Sequence, residues 1–193
     1  MALAPLIIVS GPSGSGKSTV LDRLLEEERW PLRLAVSVTT RKPRQGETQD
    51  KDYHYWTKEM FHAEAAAGGF LEWAEVFGNC YGTLEREVTP FREQGTVVML
   101  EIDVQGWEQV KKRCPEAMSI FIQPPSMEVL ENRLRQRSSE SAVELQRRLA
   151  GARVELARAG EYDYQVINDR LDEAVTAVRA IVGPLFERTI YAG

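Results

Sequence analysis

Cysteine is scarce in this chain of 193 residues, and the features that would tie it to a membrane or a polyanion are missing. The two cysteines, Cys80 and Cys114, lack the spacing of metal ligands, which favours two reduced thiols in a cytosolic protein. No apolar run approaches the length of a membrane span, and the apolar N-terminal segment lacks the basic residues of a signal peptide. The formal charge of −5 excludes a global basic field. We therefore expect a soluble cytoplasmic protein without a nucleic-acid or membrane partner.

The chain also lacks internal repeats, low-complexity tracts and long linkers. With 43% hydrophobic residues, a chain of this length can bury one substantial core. We therefore expect a single domain over residues 1–193 that carries small insertions.

The most informative segment is a glycine-rich run that fits G-x-x-x-x-G-K-[ST], the pattern of a phosphate-binding loop. It follows the apolar run Leu6–Val9 and precedes a predicted helix over 19–28. In this arrangement, backbone amides and a helix N-terminus can hold phosphate oxygens. The predicted triphosphate-binding residues are Gly11, Pro12, Ser13, Gly14, Ser15, Gly16, Lys17, Ser18 and Thr19.

Two side chains of this loop carry chemistry. Lys17 would reach the β- and γ-phosphates, and the hydroxyl of Ser18 would ligate Mg²⁺. A glycine-rich turn without function can match the same pattern, but the flanking strand and helix argue against it. The sequence therefore predicts a protein that binds a nucleoside triphosphate with Mg²⁺ as cofactor.

Apolar strand-like runs alternate with helical patterns, which is typical of a doubly wound parallel sheet with helices on both faces. The runs are Leu6–Ser10, Leu34–Thr39, Thr96–Asp103, Met118–Gln123 and Tyr164–Asn168. From about residue 37 to 90 the rhythm breaks, because segments 52–56 and 70–76 alternate as half-exposed antiparallel strands do. Thr57 would cap a helix between them, and Gly68 with Gly69 would end it. We interpret this stretch as a small inserted subdomain.

Two arginine-rich helices are predicted later in the chain, over 126–137 and 141–160. Residues 138–140 join them, and Ser141 with Glu144 predicts a capping box at the start of the second helix.

The inserted subdomain carries Arg41 and Arg44, three residues apart in a loop that contains Pro43. Two guanidinium groups at this spacing can fork onto one phosphate, and Tyr53 and Tyr81 would add hydroxyl donors. An arginine-rich surface loop is also often merely solvated. Because the same chain carries a triphosphate loop, we favour a phosphate-binding role.

Four further stretches make the pattern specific: VSVTTRKPRQGETQDKDYHYWTKEMF, GGFLEWAEVFGNCYGT, LEIDVQG and YDYQVIND. With the phosphate loop, in this order and spacing, they closely resemble guanylate kinase over about residues 6–186. The resemblance implies an α/β fold: a P-loop NTPase-type doubly wound parallel sheet core with an inserted mixed α+β nucleoside-monophosphate-binding subdomain and a helical lid. It implies a core over about 4–36, 91–125 and 155–193, a GMP-binding subdomain over about 37–90 and a lid over about 126–154.

The resemblance also implies the reaction. Guanylate kinases transfer the γ-phosphoryl group of ATP directly to GMP or dGMP in purine nucleotide metabolism, with Mg²⁺, and we expect a monomer or homodimer here. The lid arginines would clamp the charge of the transferring group, and Asn168 would contact the adenine of ATP. The implied catalytic residues are Lys17, Arg41, Arg133, Arg137 and Arg148.

The implied GMP-binding residues are Ser37, Arg41, Arg44, Tyr53, Glu72, Tyr81, Thr83 and Asp103. The two arginines and two tyrosines would hold the phosphate, while Ser37 and Thr83 would face the base. The carboxylate of Glu72 would accept hydrogen bonds from N1–H and the 2-amino group of guanine, whereas adenine offers no such donor pair. The alternative is that Glu72 is an outward-facing glutamate on a strand.

Asp103 has two open roles. It ends an apolar strand, where an acidic residue commonly contacts the magnesium of a phosphate loop through water. The resemblance instead brings it near the ribose and guanine of GMP. The sequence does not separate the two.

Three departures from the family pattern stand out. Ser138 and Ser139 stand where the family usually has Gly-Thr after a lid arginine, which puts the lid hinge in question. Val38 replaces a small or hydroxyl residue, and Cys80 replaces a common tyrosine. None of them removes a group that the chemistry requires.

Two other functions fit parts of the sequence. A ribosyl bisphosphate phosphokinase of the same superfamily would need no base-reading set such as Glu72, Ser37 and Thr83. A guanylate-kinase-like scaffolding module that binds protein ligands would lack a working phosphate loop, whereas Lys17 and Ser18 are present. The active kinase is therefore the preferred interpretation.

Overall fold

The computed structural model describes residues 3–27, 29–44, 46–137 and 142–190, and the chain divides into two compact units. The first unit comprises residues 1–8 and 31–117, and the second comprises residues 9–30 and 118–193. Strand β1 (Leu6–Ser10) is buried along its whole length and contributes to both units. No helix within the described part of the chain is long and apolar enough to cross a membrane.

Two sheets form in the first unit. In one, β2 (Leu32–Leu34) lies next to β7 (Val97–Glu101), which lies next to β1. β2 and β7 are parallel, with Leu32 opposite Val97. The other sheet has the order β4-β3-β6-β5, with strands β3 (Val38–Thr39), β4 (His54–Tyr55), β5 (Phe70–Val76) and β6 (Asn79–Leu84). β3 is parallel to β4 and antiparallel to β6, and β5 is antiparallel to β6.

Helix α2 (Lys58–Ala66) covers the second sheet. The hydroxyl oxygen of Thr57 accepts a hydrogen bond from the amide of Met60, and Gly68 follows the helix at a φ of +74°, so the predicted cap and stop are confirmed. The helix buries Phe61 in an apolar cluster with side chains of β3, β5 and β6. The members of this cluster are Val38, Phe61, Phe70, Cys80 and Leu84. α3 (Thr89–Glu93) and α4 (Val104–Arg113) flank β7 along the chain.

A β-bulge in strand β5 decides which way its side chains face. Phe70 pairs with Leu84 and Glu72 pairs with Thr83, so two residues of β5 span one step of β6. Because one inserted residue reverses the alternation, Glu72 lies on the opposite face from Phe70. The bulge thus keeps the carboxylate out of the apolar cluster under α2.

The second unit contains the phosphate loop, and its strands lie in the order β1, β8 (Met118–Gln123) and β9 (Tyr164–Ile167), the last two being parallel. α1 (Lys17–Leu25) follows the loop, and α7 (Leu171–Ile190) ends the described chain. α5 (Met127–Arg137) and α6 (Ala142–Ala157) share an apolar seam. The seam consists of Leu130, Leu134, Leu145, Leu149 and Ala152.

Several predicted element bounds need correction. The run 34–39 is not one strand, because β2 ends at Leu34 in one sheet and β3 begins at Val38 in the other. Segment 52–56 contributes only the two residues of β4, which pair parallel rather than antiparallel. Helix α1 begins at Lys17, two residues earlier than predicted. The predicted capping box at Ser141 and the departure at 138–139 lie outside the described residues.

Candidate active site

The phosphate loop depends on glycine at three positions. Gly11, Gly14 and Gly16 have φ angles of +144°, +91° and +89°, a region that other residues rarely adopt. A Cβ at Gly11 would overlap the carbonyl oxygen of Ile122, and one at Gly16 would overlap the side-chain amide of Asn168. The loop can therefore turn this tightly against its neighbours only with glycine at these positions.

The first turn of α1 is suited to an anion. Its N-cap is Gly16, which has no side chain to cap the helix, and the turn contains no acidic residue. Ser18 and Thr19 are exposed in this turn. The positive end of the helix dipole is thus not neutralised by a capping or acidic side chain, which favours a ligand of negative charge.

Lys17 lies over the loop. Its ammonium nitrogen Nζ donates to the carbonyl oxygens of Gly11 at 2.6 Å and of Pro12 at 3.3 Å. A phosphate held by the loop would offer this ammonium stronger, charged acceptors than these carbonyls.

Asn168 and Arg133 fix the loop from its other side. The carbonyl oxygen of Ser15 accepts from Nδ2 of Asn168 at 2.8 Å and from Nη1 of Arg133 at 3.4 Å. Nη2 of Arg133 donates to the backbone oxygen of Asn168 at 2.9 Å. Together they border a cavity of about 280 Å³. The lining residues are Gly14, Gly16, Thr19, Arg133, Gln136, Asn168, Asp169 and Leu171.

The structure thus brings two of the predicted ATP-site side chains, Arg133 and Asn168, to the phosphate loop. Asn168 is 5% exposed and uses its amide to hold the loop, while its predicted contact with adenine stays a prediction. Arg148 is half-buried on α6 and is not among the lining residues of the cavity. The side chain of Arg137 lies outside the description.

The loop also fits a magnesium ion. Among the residues that the structure describes, no group of three or more His, Cys, Asp or Glu side chains is placed to hold a metal. Mg²⁺ in nucleotide sites takes most of its oxygen ligands from phosphates and water and needs few from the protein. The exposed hydroxyl of Ser18 is such an oxygen donor, at the end of the loop where the phosphates would lie.

A buried carboxylate marks the candidate site of the first unit. Glu72 is 4% exposed, and its Oε1 accepts a hydrogen bond of 2.7 Å from the hydroxyl of the fully buried Thr83. Its Oε2 lies against the first turn of α4, where a Cβ on Gly106 would come within 2.5 Å. Glycine at 106 therefore makes room for the carboxylate. The alternative, an outward-facing Glu72, is excluded by this burial.

The environment of Glu72 disfavours its charge. Burial, aided by the negative charge of Asp103 and opposed by hydrogen bonds from Thr83, raises its pKa from 4.5 to about 7. Asp103 caps α4, because its Oδ1 accepts from the amide of Gly106 at 2.8 Å. The carboxylate therefore lies where donors that favour its ionised form would bind strongly.

The predicted phosphate ligands converge in part. The guanidinium of Arg41 lies 5.4 Å from the ring centre of Tyr53, and the rings of Tyr53 and Tyr81 meet edge to face at 6.2 Å. Burial and nearby negative groups raise the pKa of Tyr53, so its hydroxyl stays a donor. Arg44 contributes only its backbone amide to this group, since its side chain is exposed. Ser37 is half-buried, and its carbonyl oxygen accepts from the amide of His54.

Sequence reasoning missed two members of this group, Glu47 and Tyr55. Both oxygens of Glu47 accept from Arg41, at 2.8 and 2.9 Å, and Oε2 also accepts from the hydroxyl of Tyr55 at 2.8 Å. The available signal was an acidic residue six positions after an arginine in a loop with a tyrosine beyond it, which is too common to be specific.

Comparison with known proteins agrees with this geometry. A family model described as guanylate kinase matches residues 4–184. A protein named guanylate kinase from Caldanaerobacter subterraneus subsp. tengcongensis is 46% identical over 177 residues, which cover 92% of this chain and 85% of the relative. Another from Synechocystis sp. is 47% identical over 179 residues, which cover 92% and 93% of the two chains.

The same likeness appears among solved structures. The crystal structure of guanylate kinase from Anaplasma phagocytophilum matches with a TM-score of 0.79 at 33% identity, covering 96% of this chain and 88% of that chain. The predicted resemblance and the predicted fold class are thereby confirmed. The chain therefore belongs to the guanylate kinase family, a family of phosphotransferases.

Proposed function

We propose that this protein transfers the γ-phosphoryl group of ATP to GMP and dGMP, in line and without a covalent intermediate. The observation that carries the proposal is the Glu72–Thr83 pair. A buried carboxylate with few donors is costly in a fold, and it becomes useful when a ligand supplies the missing donors. Guanine presents N1–H and the 2-amino group side by side, which match two carboxylate oxygens.

Thr83 would take part in the same recognition. Its hydroxyl has one hydrogen, which it donates to Glu72 in this structure. Once the guanine edge supplies donors to the carboxylate, this hydroxyl is free to turn to another acceptor, and O6 of guanine is one. Adenine has no pair of donors for Glu72, so it would leave the carboxylate buried and unsatisfied.

The phosphate of GMP would be held by the group around Arg41. Arg41, Tyr53 and Tyr81 contribute charge and hydroxyl donors there, and Arg44 would swing its exposed side chain toward the same anion. Asp103 would serve this GMP side rather than the metal, because its oxygens accept from Gly106 and Gln105 and its charge acts on Glu72.

ATP would bind the loop of the second unit. Backbone amides of the loop and of the first turn of α1 would hold the phosphates, and Lys17 would exchange its carbonyl partners for phosphate oxygens. Mg²⁺, ligated by Ser18, supplies charge neutralisation on the β- and γ-phosphates when bound. Arg133 lines this cavity and would stabilise charge on the transferring group, with Arg137 and Arg148 proposed to join it. Asn168 would offer its Oδ1 to the adenine.

Positioning and electrostatic stabilisation then account for the catalysis, because in-line transfer needs no nucleophile from the protein. We further propose that the residues 126–154 act as a lid and 37–90 as the GMP-binding subdomain. The proposed setting is the cytoplasm, with a monomer or homodimer acting on free nucleotides and no nucleic acid. Because the net charge of −5 does not attract anions, anionic substrates would be bound by local groups of arginines.

A coupled assay of ADP release tests this function. The purified protein is given ATP and Mg²⁺ with GMP, dGMP, AMP, CMP or UMP in turn. We expect turnover with GMP and dGMP and little with the others, and loss of turnover when a chelator removes the divalent ion. Equal rates with GMP and AMP would refute the base assignment. No ADP release with any acceptor, in a folded protein, would favour the scaffolding module instead.

A further inference from the structure

The carboxylate of Glu47 organises the loop that carries Arg41. Its oxygens accept four hydrogen bonds: two from the guanidinium of Arg41, one of 2.7 Å from the backbone amide of Arg44, and one from the hydroxyl of Tyr55. The side chains of Arg41 and Glu47 are 14% and 19% exposed, so the pair is largely withdrawn from water. We refer to Arg41, Glu47, Tyr55 and the amide of Arg44 as the Glu47 cluster.

The ion pair with Glu47 uses the Nη1–Nη2 edge of the Arg41 guanidinium and leaves its Nε–Nη2 edge. Nη1 of Arg41 donates to Glu47 and to the carbonyl oxygen of Lys42, and Nη2 donates once to Glu47. Arginine has five N–H donors in a fixed plane, so the Nε–H and one hydrogen of Nη2 remain, side by side on one edge. The guanidinium lies 5.4 Å from the ring centre of Tyr53, whose ring meets that of Tyr81 edge to face, so hydroxyl and guanidinium donors occur in one region.

The hydrogen bonds to Glu47 favour its charged form. Burial alone would raise its pKa, but the hydrogen bonds from Arg41, from the amide of Arg44 and from Tyr55 outweigh burial and lower the pKa to about 2. Glu47 therefore stays ionised, and an acceptor for Arg41, at neutral pH.

We propose that Glu47 is a positioning residue for the phosphate of the nucleoside monophosphate. By holding one edge of Arg41, it aims the remaining Nε–Nη2 edge at the phosphate beside Tyr81, and it sets the loop on which Arg44 lies. This inference rests on the proposed function, since it concerns how the acceptor nucleotide is held.

A competing role would give the opposite sign. If Glu47 merely occupied the phosphate position as an internal anion, then its removal would free Arg41 and tighten GMP binding. If it positions Arg41, its removal would let the guanidinium wander and weaken GMP binding, despite the loss of a negative charge. The direction of the change therefore separates the two roles.

The experiment compares the wild type with Glu47→Gln. Glutamine keeps the size of the side chain but faces Arg41 with one donor, and it loses charge assistance. Calorimetric titration is done with GMP and, separately, with guanosine, which carries the base without the phosphate. We expect Glu47→Gln to weaken GMP binding about ten- to a hundredfold and to leave guanosine binding unchanged. Steady-state kinetics should show KM for GMP raised by a similar factor, with KM for ATP unaltered.

Asp52→Asn is the matched control. Asp52 lies in the same loop, and its Oδ2 accepts from the amide of Thr48 at 2.7 Å without contacting Arg41. If the loop merely loosened, both variants would bind GMP more weakly. If Glu47 positions Arg41, only Glu47→Gln should bind GMP more weakly. Tyr55→Phe removes one donor from Glu47 and leaves the carboxylate, so it should weaken GMP binding in the same direction by less. It also keeps the test decisive if Glu47→Gln fails to fold.

Three results would overturn the inference: unchanged GMP binding in Glu47→Gln, tighter GMP binding, or equal loss for GMP and guanosine. These differ from a failure of the proposed function, in which the wild type itself would neither bind nor phosphorylate GMP. In the Arg41→Ala background, Glu47→Gln should have little further effect on GMP binding, because Glu47 acts through Arg41. A full additional loss in that background would equally contradict the positioning role.

Discussion

Replacing Glu72 by glutamine removes a buried charge while keeping the shape of the side chain. In the wild type, ionising this carboxyl is harder in the folded protein than in the unfolded chain, because its pKa is raised from 4.5 to about 7. Each pKa unit corresponds to about 1.36 kcal/mol, so full ionisation destabilises the fold by about 3 kcal/mol. Glutamine can still accept from the hydroxyl of Thr83 and carries no such cost.

The sign of the pH dependence follows from the raised pKa. Below the unfolded pKa of 4.5, Glu72 is protonated in both states and costs nothing. Between pH 4.5 and about 7, the carboxyl ionises in the unfolded chain but stays protonated in the folded protein. This ionisation lowers the free energy of the unfolded state, so the folded protein becomes less stable as pH rises. Above about pH 7 both states are ionised, and the full penalty applies. The stability advantage of Glu72→Gln should therefore grow by about 2 to 3 kcal/mol between about pH 5 and about pH 8.5.

Denaturant unfolding without nucleotide measures this advantage at the two pH values. Glu75→Gln serves as the control, since it makes the same substitution at an exposed position of the same strand. We expect that control to show the same stability difference from wild type at both pH values. If the advantage of Glu72→Gln were equal at both pH values, or if the variant were less stable at high pH, the burial argument would be refuted.

The same variant should lose its substrate. One hydrogen bond to guanine becomes a clash of donors, and the other loses its charge assistance, so kcat/KM for GMP should fall about ten- to several-hundredfold. The value of kcat/KM for AMP should change little, and KM for ATP should stay unchanged. If Glu72→Gln is more stable than the wild type but has a lower kcat/KM for GMP, then Glu72 is a residue whose charge supports activity at a cost in stability. Full retention of the GMP preference would show that guanine is recognised elsewhere.

Three further predictions concern the rest of the site. KM for GMP should rise as pH falls below about 7, because a protonated Glu72 can no longer accept two donors, and Glu72→Gln should lack this part of the profile in steady-state kinetics. Lys17→Ala should lower kcat at least about a hundredfold, with circular dichroism showing an intact fold; a near-normal kcat would contradict its catalytic role. Asn168→Ala should destabilise the protein by about 1–3 kcal/mol in thermal unfolding and raise KM for ATP but not for GMP, because the carbonyl of Ser15 loses its amide donor; equal effects on both KM values would argue for a general structural role.

Local chemistry made much of the fold predictable. The phosphate loop, the cap at Thr57 and the stop at Gly68 each depend on residues within a few positions, so their patterns carry the structure. The buried strands β1 and β8 could be predicted for the same reason, because a short apolar run of this length is typical of a strand buried on both faces.

Pairings between distant residues could not be predicted in the same way. The bulge in β5 has no sequence mark, yet it decides that Glu72 turns toward Thr83 instead of into the cluster around Phe61. A shift of one residue reverses every side chain of a strand, so the hydrophobic pattern alone does not fix such a detail. The run 34–39 misled for a related reason: its apolar character is that of two short strands in different sheets.

Two helix starts in this chain show how the same element serves opposite purposes. α4 begins with Asp103, whose carboxylate accepts from the amide of Gly106 and so satisfies the positive end of that helix internally. The charge used for this cap also raises the pKa of Glu72, so the cap tunes the carboxylate expected to read guanine. α1 has Gly16 as its N-cap, no side-chain cap and no acidic residue in its first turn, so the positive end of its dipole is not neutralised by the chain's own side chains. The start of α4 is capped by its own side chain and the start of α1 is not, so of these two helices α1 is the one suited to a phosphate. An acidic residue placed in the first turn of α1 would compete with the phosphates of ATP for the same amides.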